Sequence, residues 1–262
     1  MKRVRVDSLL SQRGIFESRS RAAASVLAGD VRVLPDRRRV SKPGELVAQD
    51  VEFEVVAPPR FVSRAGVKLA NALGALGLEV TGRRALDVGA STGGFTDCLL
   101  QNAAAHVVAL DVAYGELHWR LRSDERVTVI ERTNARALTP ADLPYPPEVI
   151  VIDVSFISLR KVLAAVLGCA ADRFDCLALI KPQFEVGRER VGKGGVVRDA
   201  AWRRRALIDV GAFARDLGVS VMGYASSGLP GPKGNLETFV WLAEASRGGI
   251  EDLEAAAREV EP

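Results

Sequence analysis

The stretch RALDVGASTGGFTDCLL, residues 84–100, reads as an apolar strand, a glycine turn and an amphipathic helix. Such a unit brings backbone N–H groups and a helix N-terminus to the carboxyl end of a parallel strand, where open α/β sheets bind their ligands. Three chemistries compete for the turn. Gly89-Ala90-Ser91-Thr92-Gly93-Gly94 approaches a dinucleotide fingerprint, but Ser91 stands where a second glycine would let the backbone meet a pyrophosphate, which disfavours a nicotinamide or flavin. Residues 89–93 also spell the G-x-S-x-G elbow of an α/β-hydrolase, which needs an acid and then a late histidine. The chain holds only His106 and His118, both too soon after Ser91. What is left is a small-molecule site without phosphates. Asp87 ends the first strand and Asp111 the next, about 20 residues on, where an acid can accept both hydroxyls of a ribose. S-adenosylmethionine fits that description.

Outward from the turn, apolar runs and helical periods alternate. Strands are expected at Ala85–Val88, His106–Asp111, Val127–Ile130, Val149–Asp153, Cys176–Lys181, Val219–Tyr224 and Thr238–Leu242. Helices are expected at Gly94–Asn102, Gly115–Leu121, Leu159–Ala171, Asp199–Leu217 and Glu251–Val260, and at Lys68–Leu78, which puts Lys68 in a first turn. The fold class is therefore α/β: a doubly wound, mostly parallel, seven-stranded Rossmann-like sheet of the methyltransferase kind. A smaller α+β domain precedes it, with two short helices at Val4–Gln12 and Ser18–Leu27 and short strands from Val31 to Val56. Two prolines in Ala57–Ser63 break the strand pattern. The expected organisation is a first domain at 1–60, a connecting stretch at 61–67 and a second domain at 68–262.

No apolar run approaches the roughly 20 residues that span a bilayer, and the N-terminus lacks a signal-peptide core, so the expected location is the cytoplasm. Cys98, Cys169 and Cys176 show neither CxxC pairing nor a histidine at metal-ligand spacing, and they read as buried thiols without metal or disulfide. The formal charge of +3 is unevenly spread. Residues 1–60 hold twelve Lys and Arg against eight Asp and Glu, which leaves −1 to the other 202 residues. A basic small domain on a near-neutral body suggests a nucleic-acid grip, and Arg3, Arg5, Arg19, Arg21 and Arg32, with the run Arg37-Arg38-Arg39, are the candidates. The plainer alternative is a solvated face.

Two resemblances sharpen this reading. RVDSLLSQRGIFESRSRAAASVLAGDVRV followed by VSKPGELV resembles the RNA-binding domain of the ribosomal protein S-four type, with Leu34-Pro35-Asp36-Arg37 where relatives have a Val-Asn-Gly turn. DVGASTGGFTD, LDVAYGELHWRLR, ERTNAR, IDVSFISL, IKPQFEVG with GKGGVVRD, and LPGPKGNLETFVWL together resemble the TlyA family of ribosomal RNA 2′-O-methyltransferases, within a wider FtsJ-like group. That resemblance implies a Lys-Asp-Lys-Glu tetrad at Lys68, Asp153, Lys181 and Glu237. It also implies a sheet order that sets the fourth, fifth and seventh strands side by side with the seventh antiparallel. For the cofactor it implies Gly89, Ser91, Thr92, Gly93 and Gly94 at the methionine end, Asp111 at the ribose and Asn134 on the adenine side. Asp87 either contacts the donor or orients the turn.

The tetrad's residue types suit the reaction. A ribose hydroxyl attacks a sulfonium methyl poorly until its proton leaves, and a neutral lysine can take that proton. Lys181, with Lys68 nearby, is the candidate base, and the two carboxylates would hold the partners in line. The division of roles within the tetrad stays open. The expected reaction is methyl transfer from S-adenosylmethionine to cytidine 2′-hydroxyls of ribosomal RNA. Because family members modifying both subunits carry extra sequence at both ends, Met1 to Arg5 and the acidic 251–260 segment lead to the expectation that both are substrates. The alternatives are 2′-O-methylation of another RNA and a ribosome-binding assembly protein without catalysis.

Overall fold

The computed structural model describes residues 3–16, 18–56 and 60–261 and divides into two compact units, residues 1–59 and 60–262. In the first unit β1 (Arg3–Arg5), α1 (Val6–Gln12), α2 (Arg19–Ala28), β2 (Val31–Val33), β3 (Arg38–Arg39), β4 (Leu46–Ala48) and β5 (Phe53–Val55) follow one another. β1 pairs antiparallel with β4, and β2 lies between β3 and β5. Val6, Leu9 and Leu10 of α1 meet Ala22 and Val26 of α2 over Val31, Val40 and Val47 in a small apolar core. The start of the first expected helix is a strand instead, because Arg3–Arg5 finds a pairing partner in Leu46–Ala48 that local periodicity does not reveal. The hairpin after β2 has a cis Leu34–Pro35 peptide and a left-handed Arg37.

The second unit continues with α3 (Arg64–Leu76), β6 (Arg84–Val88), α4 (Gly94–Gln101), β7 (His106–Leu110), α5 (Trp119–Arg122), β8 (Val127–Ile130), β9 (Val149–Ile152), α6 (Leu163–Leu167) and β10 (Asp175–Ile180). It ends with α7 (Pro182–Glu185), α8 (Ala200–Asp216), β11 (Val219–Ser226), β12 (Thr238–Glu244) and α9 (Leu253–Val260). These strands form one seven-stranded sheet in the order β11-β12-β10-β9-β6-β7-β8. Only β12 runs against its neighbours, so the start of β12 lies at the rim where β9 and β10 end.

Period-two alternation distributes the core. Leu86, Val88, Ile150, Ile152, Cys176, Ala178 and Ile180 face Leu163 and Val166 of α6, Leu207 and Val210 of α8, and Ala257 of α9. Ala85, Val149, Val151, Leu177 and Leu179 face Leu69, Ala72 and Leu73 of α3 and Phe95, Cys98 and Leu99 of α4. Helices therefore cover both faces, as a mostly parallel sheet requires. All three cysteines are free and buried.

Several expected boundaries move. Residues 57–59 lie outside the described residues, but 61–67, expected as the connecting stretch, belong to the second unit. Phe61 is buried in its core, the Val62 amide donates to Asp97 Oδ2 at 2.8 Å, and Arg64 already starts α3 after the cap position Ser63. Lys68 is thus in the second turn of its helix rather than the first. The helix expected over 115–121 shrinks to Trp119–Arg122, because Gly115 is left-handed and His118 caps. The one expected over 159–171 becomes a 3₁₀ turn at Leu159–Lys161 followed by α6.

Candidate active site

The glycine turn places its groups by geometry that glycine alone tolerates at one point. Gly89 has φ +84°, and a Cβ there would lie 2.7 Å from the carbonyl oxygen of Asp153. The turn and the end of β9 consequently touch backbone to backbone. Gly66 and Gly94 perform a similar service, since a Cβ on Gly66 would meet Gly94 O at 2.8 Å and the Phe61 ring at still shorter range. The start of α3 lies directly on the start of α4, and Lys68 is carried half a turn further to the rim.

A cavity of about 780 Å³ opens at this rim, and Lys68, Asp153, Lys181 and Glu237 all line it. They meet as two pairs. Lys68 Nζ lies 2.5 Å from Glu237 Oε2, with both residues more than nine-tenths buried. Lys181 Nζ lies 2.5 Å from Asp153 Oδ1, at an angle that is not a hydrogen bond's, and donates to Ser155 Oγ at 2.9 Å. Asp153 follows β9, Lys181 follows β10 and Glu237 precedes β12, and the register Ile180 opposite Thr238 sets the last two side by side. Buried charges of this kind are costly unless paired, and each here has a partner of opposite sign.

Asp87 is fully buried on the α4 side of β6. Its Oδ2 accepts from Thr96 N at 2.9 Å and Thr96 Oγ1 at 2.7 Å, while Oδ1 has no partner. Loss of hydration, with smaller contributions from the Asp153 and Asp111 charges, pushes its carboxyl up to about 7. Gln183 Oε1 is a second buried acceptor without a donor in the same cavity. An orphaned acceptor beside the glycine turn, with a second elsewhere in the cavity lining, fits a ligand that brings N–H or O–H donors, as the ammonium of a methionine moiety does.

The other expected cofactor residues divide. Gly89, Ser91 and Thr92 line the cavity with Asp87. Gly93 and Gly94 do not: a Cβ on Gly93 would strike Leu121 and Leu117, and one on Gly94 would strike Ser63 Oγ, so these glycines serve close packing under the turn. Asp111 lines a small adjoining recess with Glu116 and Glu131, its Oδ2 accepting from Ser91 N at 2.7 Å and its Oδ1 from Ala113 N at 2.8 Å. Each carboxylate oxygen keeps lone pairs for a ribose hydroxyl. Asn134 lines neither space, because its Oδ1 caps the following 3₁₀ turn by accepting from Arg136 N.

Sequence reasoning missed an aromatic pair in the cavity lining. Phe156, just after Asp153, has φ +64° and is 92% exposed. Its ring centroid lies 5.6 Å from that of Phe184 in α7, and both line the cavity. Pro182, an N1 proline directly after Lys181, was the one signal for α7. Arg64 and Lys233 stand on the same cavity wall. Among the described residues no group of three or more His, Cys, Asp or Glu is arranged to hold a metal.

In the first unit the candidate arginines are largely engaged. Arg5 and Arg19 both pair with the buried Asp7, at 2.8 and 3.1 Å, and hold its carboxyl far below the usual range. Arg37 pairs with Glu54 and Arg38 with Glu45. Arg3 and Arg21 are exposed and Arg32 is half-buried.

Residues 61–244 match the FtsJ-like methyltransferase model. The chain is 49% identical over 92% of its length, and 90% of the relative's, to the 16S/23S rRNA (cytidine-2′-O)-methyltransferase TlyA of Mycobacterium tuberculosis. It is 44% identical over 94% of its length and 89% of the other's to YqxC of Bacillus subtilis, named as an rRNA methyltransferase. A solved structure from Streptococcus thermophilus, named as a hemolysin, is 38% identical and superposes with a TM-score of 0.73 over 99% of this chain and 96% of that one. The glycine turn, the seven-stranded sheet with its reversed last strand and this similarity along nearly the whole length place the chain in the TlyA family of FtsJ-like methyltransferases.

Proposed function

We propose that the protein transfers a methyl group from S-adenosylmethionine to cytidine 2′-hydroxyls of ribosomal RNA, in both subunits and in the cytoplasm. The observation that carries the reading is the meeting of two lysine–carboxylate pairs, Lys68–Glu237 buried and Lys181–Asp153 nearly so, in one cavity walled by the glycine turn. The 16S/23S activity named for the Mycobacterium tuberculosis relative supports both the nucleotide and the two substrates. Among the described residues no helix is long and apolar enough to cross a membrane.

Asp87 Oδ1 would accept from the ammonium of the cofactor's methionine moiety, the turn at Gly89, Ser91 and Thr92 would cradle that moiety, and Asp111 would accept from the ribose hydroxyls. When bound, S-adenosylmethionine supplies an electrophilic methyl group on a sulfonium. The chain's own residues do the rest. Phe156, backed by Phe184, offers a flat face on which a base turned out of its stack can rest. Arg64 and Lys233 offer charge to the flanking phosphates. Lys181 is the group placed to take the 2′-hydroxyl proton as the oxygen–methyl bond forms and the sulfur–methyl bond breaks, a step that requires its ammonium, paired with Asp153, first to release a proton to solvent. Asp153, already at 2.5 Å, then stabilises the ammonium formed. Lys68, fixed by Glu237, adds positive charge beside the developing alkoxide.

Labelled methyl transfer to isolated ribosomal subunits, with mapping of ribose methylation, tests the reading. Lys181→Ala should lower kcat at least 100-fold, the scale of a lost general base, with S-adenosylhomocysteine affinity held within a few fold. Label on neither subunit RNA, or unchanged turnover in the folded variant, overturns it.

A further inference from the structure

Glu185, which has no part in that chemistry, is buried with its side chain 1% exposed between the two loops that carry Asp153 and Lys181. It ends α7, four residues after Lys181, yet both its oxygens reach into the other loop. Oε2 accepts from Ser158 Oγ at 2.6 Å and Oε1 from Leu159 N at 2.7 Å. Arg160 adds its guanidinium at 3.7 Å and donates to the Glu185 carbonyl at 3.3 Å. The loops also touch at Phe156 and Phe184, and at Lys181 with Ser155. The β10 loop is thus fastened to the β9 loop at three points, and Glu185 is the only one of them outside the cavity. The left-handed Phe156 sits two residues before Ser158, inside the fastened segment.

We propose that Glu185 is a positioning residue, a buckle that holds the base lysine and the aromatic platform in mutual register so that the target hydroxyl and Lys181 Nζ meet in line. The inference rests on the methyltransferase reading above. A carboxylate is the right group for the place, because it accepts from a hydroxyl and an amide at once and donates to neither. An amide keeps one acceptor for Leu159 N but reverses the bond to Ser158. An alanine leaves two polar groups unpaired.

Steady-state methyl transfer to ribosomal subunits by the full chain, with S-adenosylhomocysteine affinity and thermal midpoint measured on the same samples, tests the buckle. Glu185→Ala should lower kcat tenfold or more while cofactor affinity stays within twofold, and Glu185→Gln should recover part of the loss. If the alanine variant does not fold, Ser158→Ala, which removes one of the two bonds, should lower kcat severalfold with the same cofactor affinity. A double-mutant cycle with Phe156→Ala should be non-additive, the pair costing little more than the larger single change. A wild type that methylates no ribosomal RNA removes the reading on which the inference stands. A wild type that does, beside Glu185 variants with unchanged kcat, with cofactor affinity falling in step with activity, or with fully additive losses, overturns the buckle alone.

Discussion

The two oxygens of Asp87 face different partners, and pH separates their effects. Oδ2 holds Thr96 and so fixes the start of α4 against β6, while Oδ1 waits in the cavity wall without a donor. With the folded carboxyl near 7 and the ordinary value 3.8, the native state keeps a proton that the unfolded chain has lost between those values. Stability of the ligand-free protein therefore falls as pH rises from about 4 to about 7, and the deficit is constant above that. At about 1.4 kcal/mol per pH unit it reaches at most about 4 kcal/mol. Asp87→Asn keeps the acceptor for Thr96 and cannot ionise. Its thermal midpoint should exceed the wild type's at pH 8 and the gap should close as pH falls below 4, while its affinity for S-adenosylhomocysteine at pH 8 drops tenfold or more. Calorimetry at both ends of that range reads both effects, and equal midpoints at pH 8 would contradict the burial of a charge at this position. The chemistry of residue 87 was legible as an acid at a strand end, but its double engagement was not, because the partner Thr96 is known only once β6 and α4 are packed.

At the scale of elements, long apolar runs announced themselves and single turns did not. All seven strands of the large sheet are found within two residues of where the apolar runs set them, since the five inner strands are buried by neighbours on both faces and the edge strands β8 and β11 are at least half-buried along most of their length. The four-residue α7 has too few residues for a period, and the short side chain of Asn134, expected on the adenine side, also turns back to cap its own backbone. The contact of α3 with α4 shows why element placement matters to chemistry. Gly66 lies two residues before Lys68, and any side chain there must displace Phe61 or the Gly94 carbonyl. Gly66→Ala should push the start of α3 outward and move Lys68 from Glu237. A displacement of about 1 Å at such a group can cost about 100-fold in rate, so kcat should fall by that order while the fold survives. Circular dichroism and turnover on one preparation check it, and a folded variant with wild-type kcat would show that the lysine's position does not depend on this packing.

Over the whole molecule the charge asymmetry was visible in the sequence, whereas the pairing that consumes part of it was not, because Asp7, Glu45 and Glu54 meet their arginines only through the fold of the first unit. The same pairing sharpens what to expect of RNA binding. Arg37 and Arg38 are tied to the carboxylates of Glu54 and Glu45, and such exposed pairs contribute little to stability yet offset the field that would attract phosphate. Arg19 shares Asp7 with Arg5, so the three together still carry net positive charge at the start of α2, where Arg21 is exposed two residues further on. Arg19→Ala with Arg21→Ala should therefore weaken binding of the full chain to ribosomal subunits and flatten the plot of log affinity against log salt by about 1.5, since each lost phosphate contact removes about 0.7–0.9 from the slope. Arg37→Ala with Arg38→Ala should change that slope by less than half as much, because Glu54 and Glu45 lose their partners at the same time. Affinity for S-adenosylhomocysteine should stay constant in both. Slopes for both double variants equal to the wild type's would mean that the first unit's arginines act only as a solvated surface, and that the RNA grip lies elsewhere on the chain.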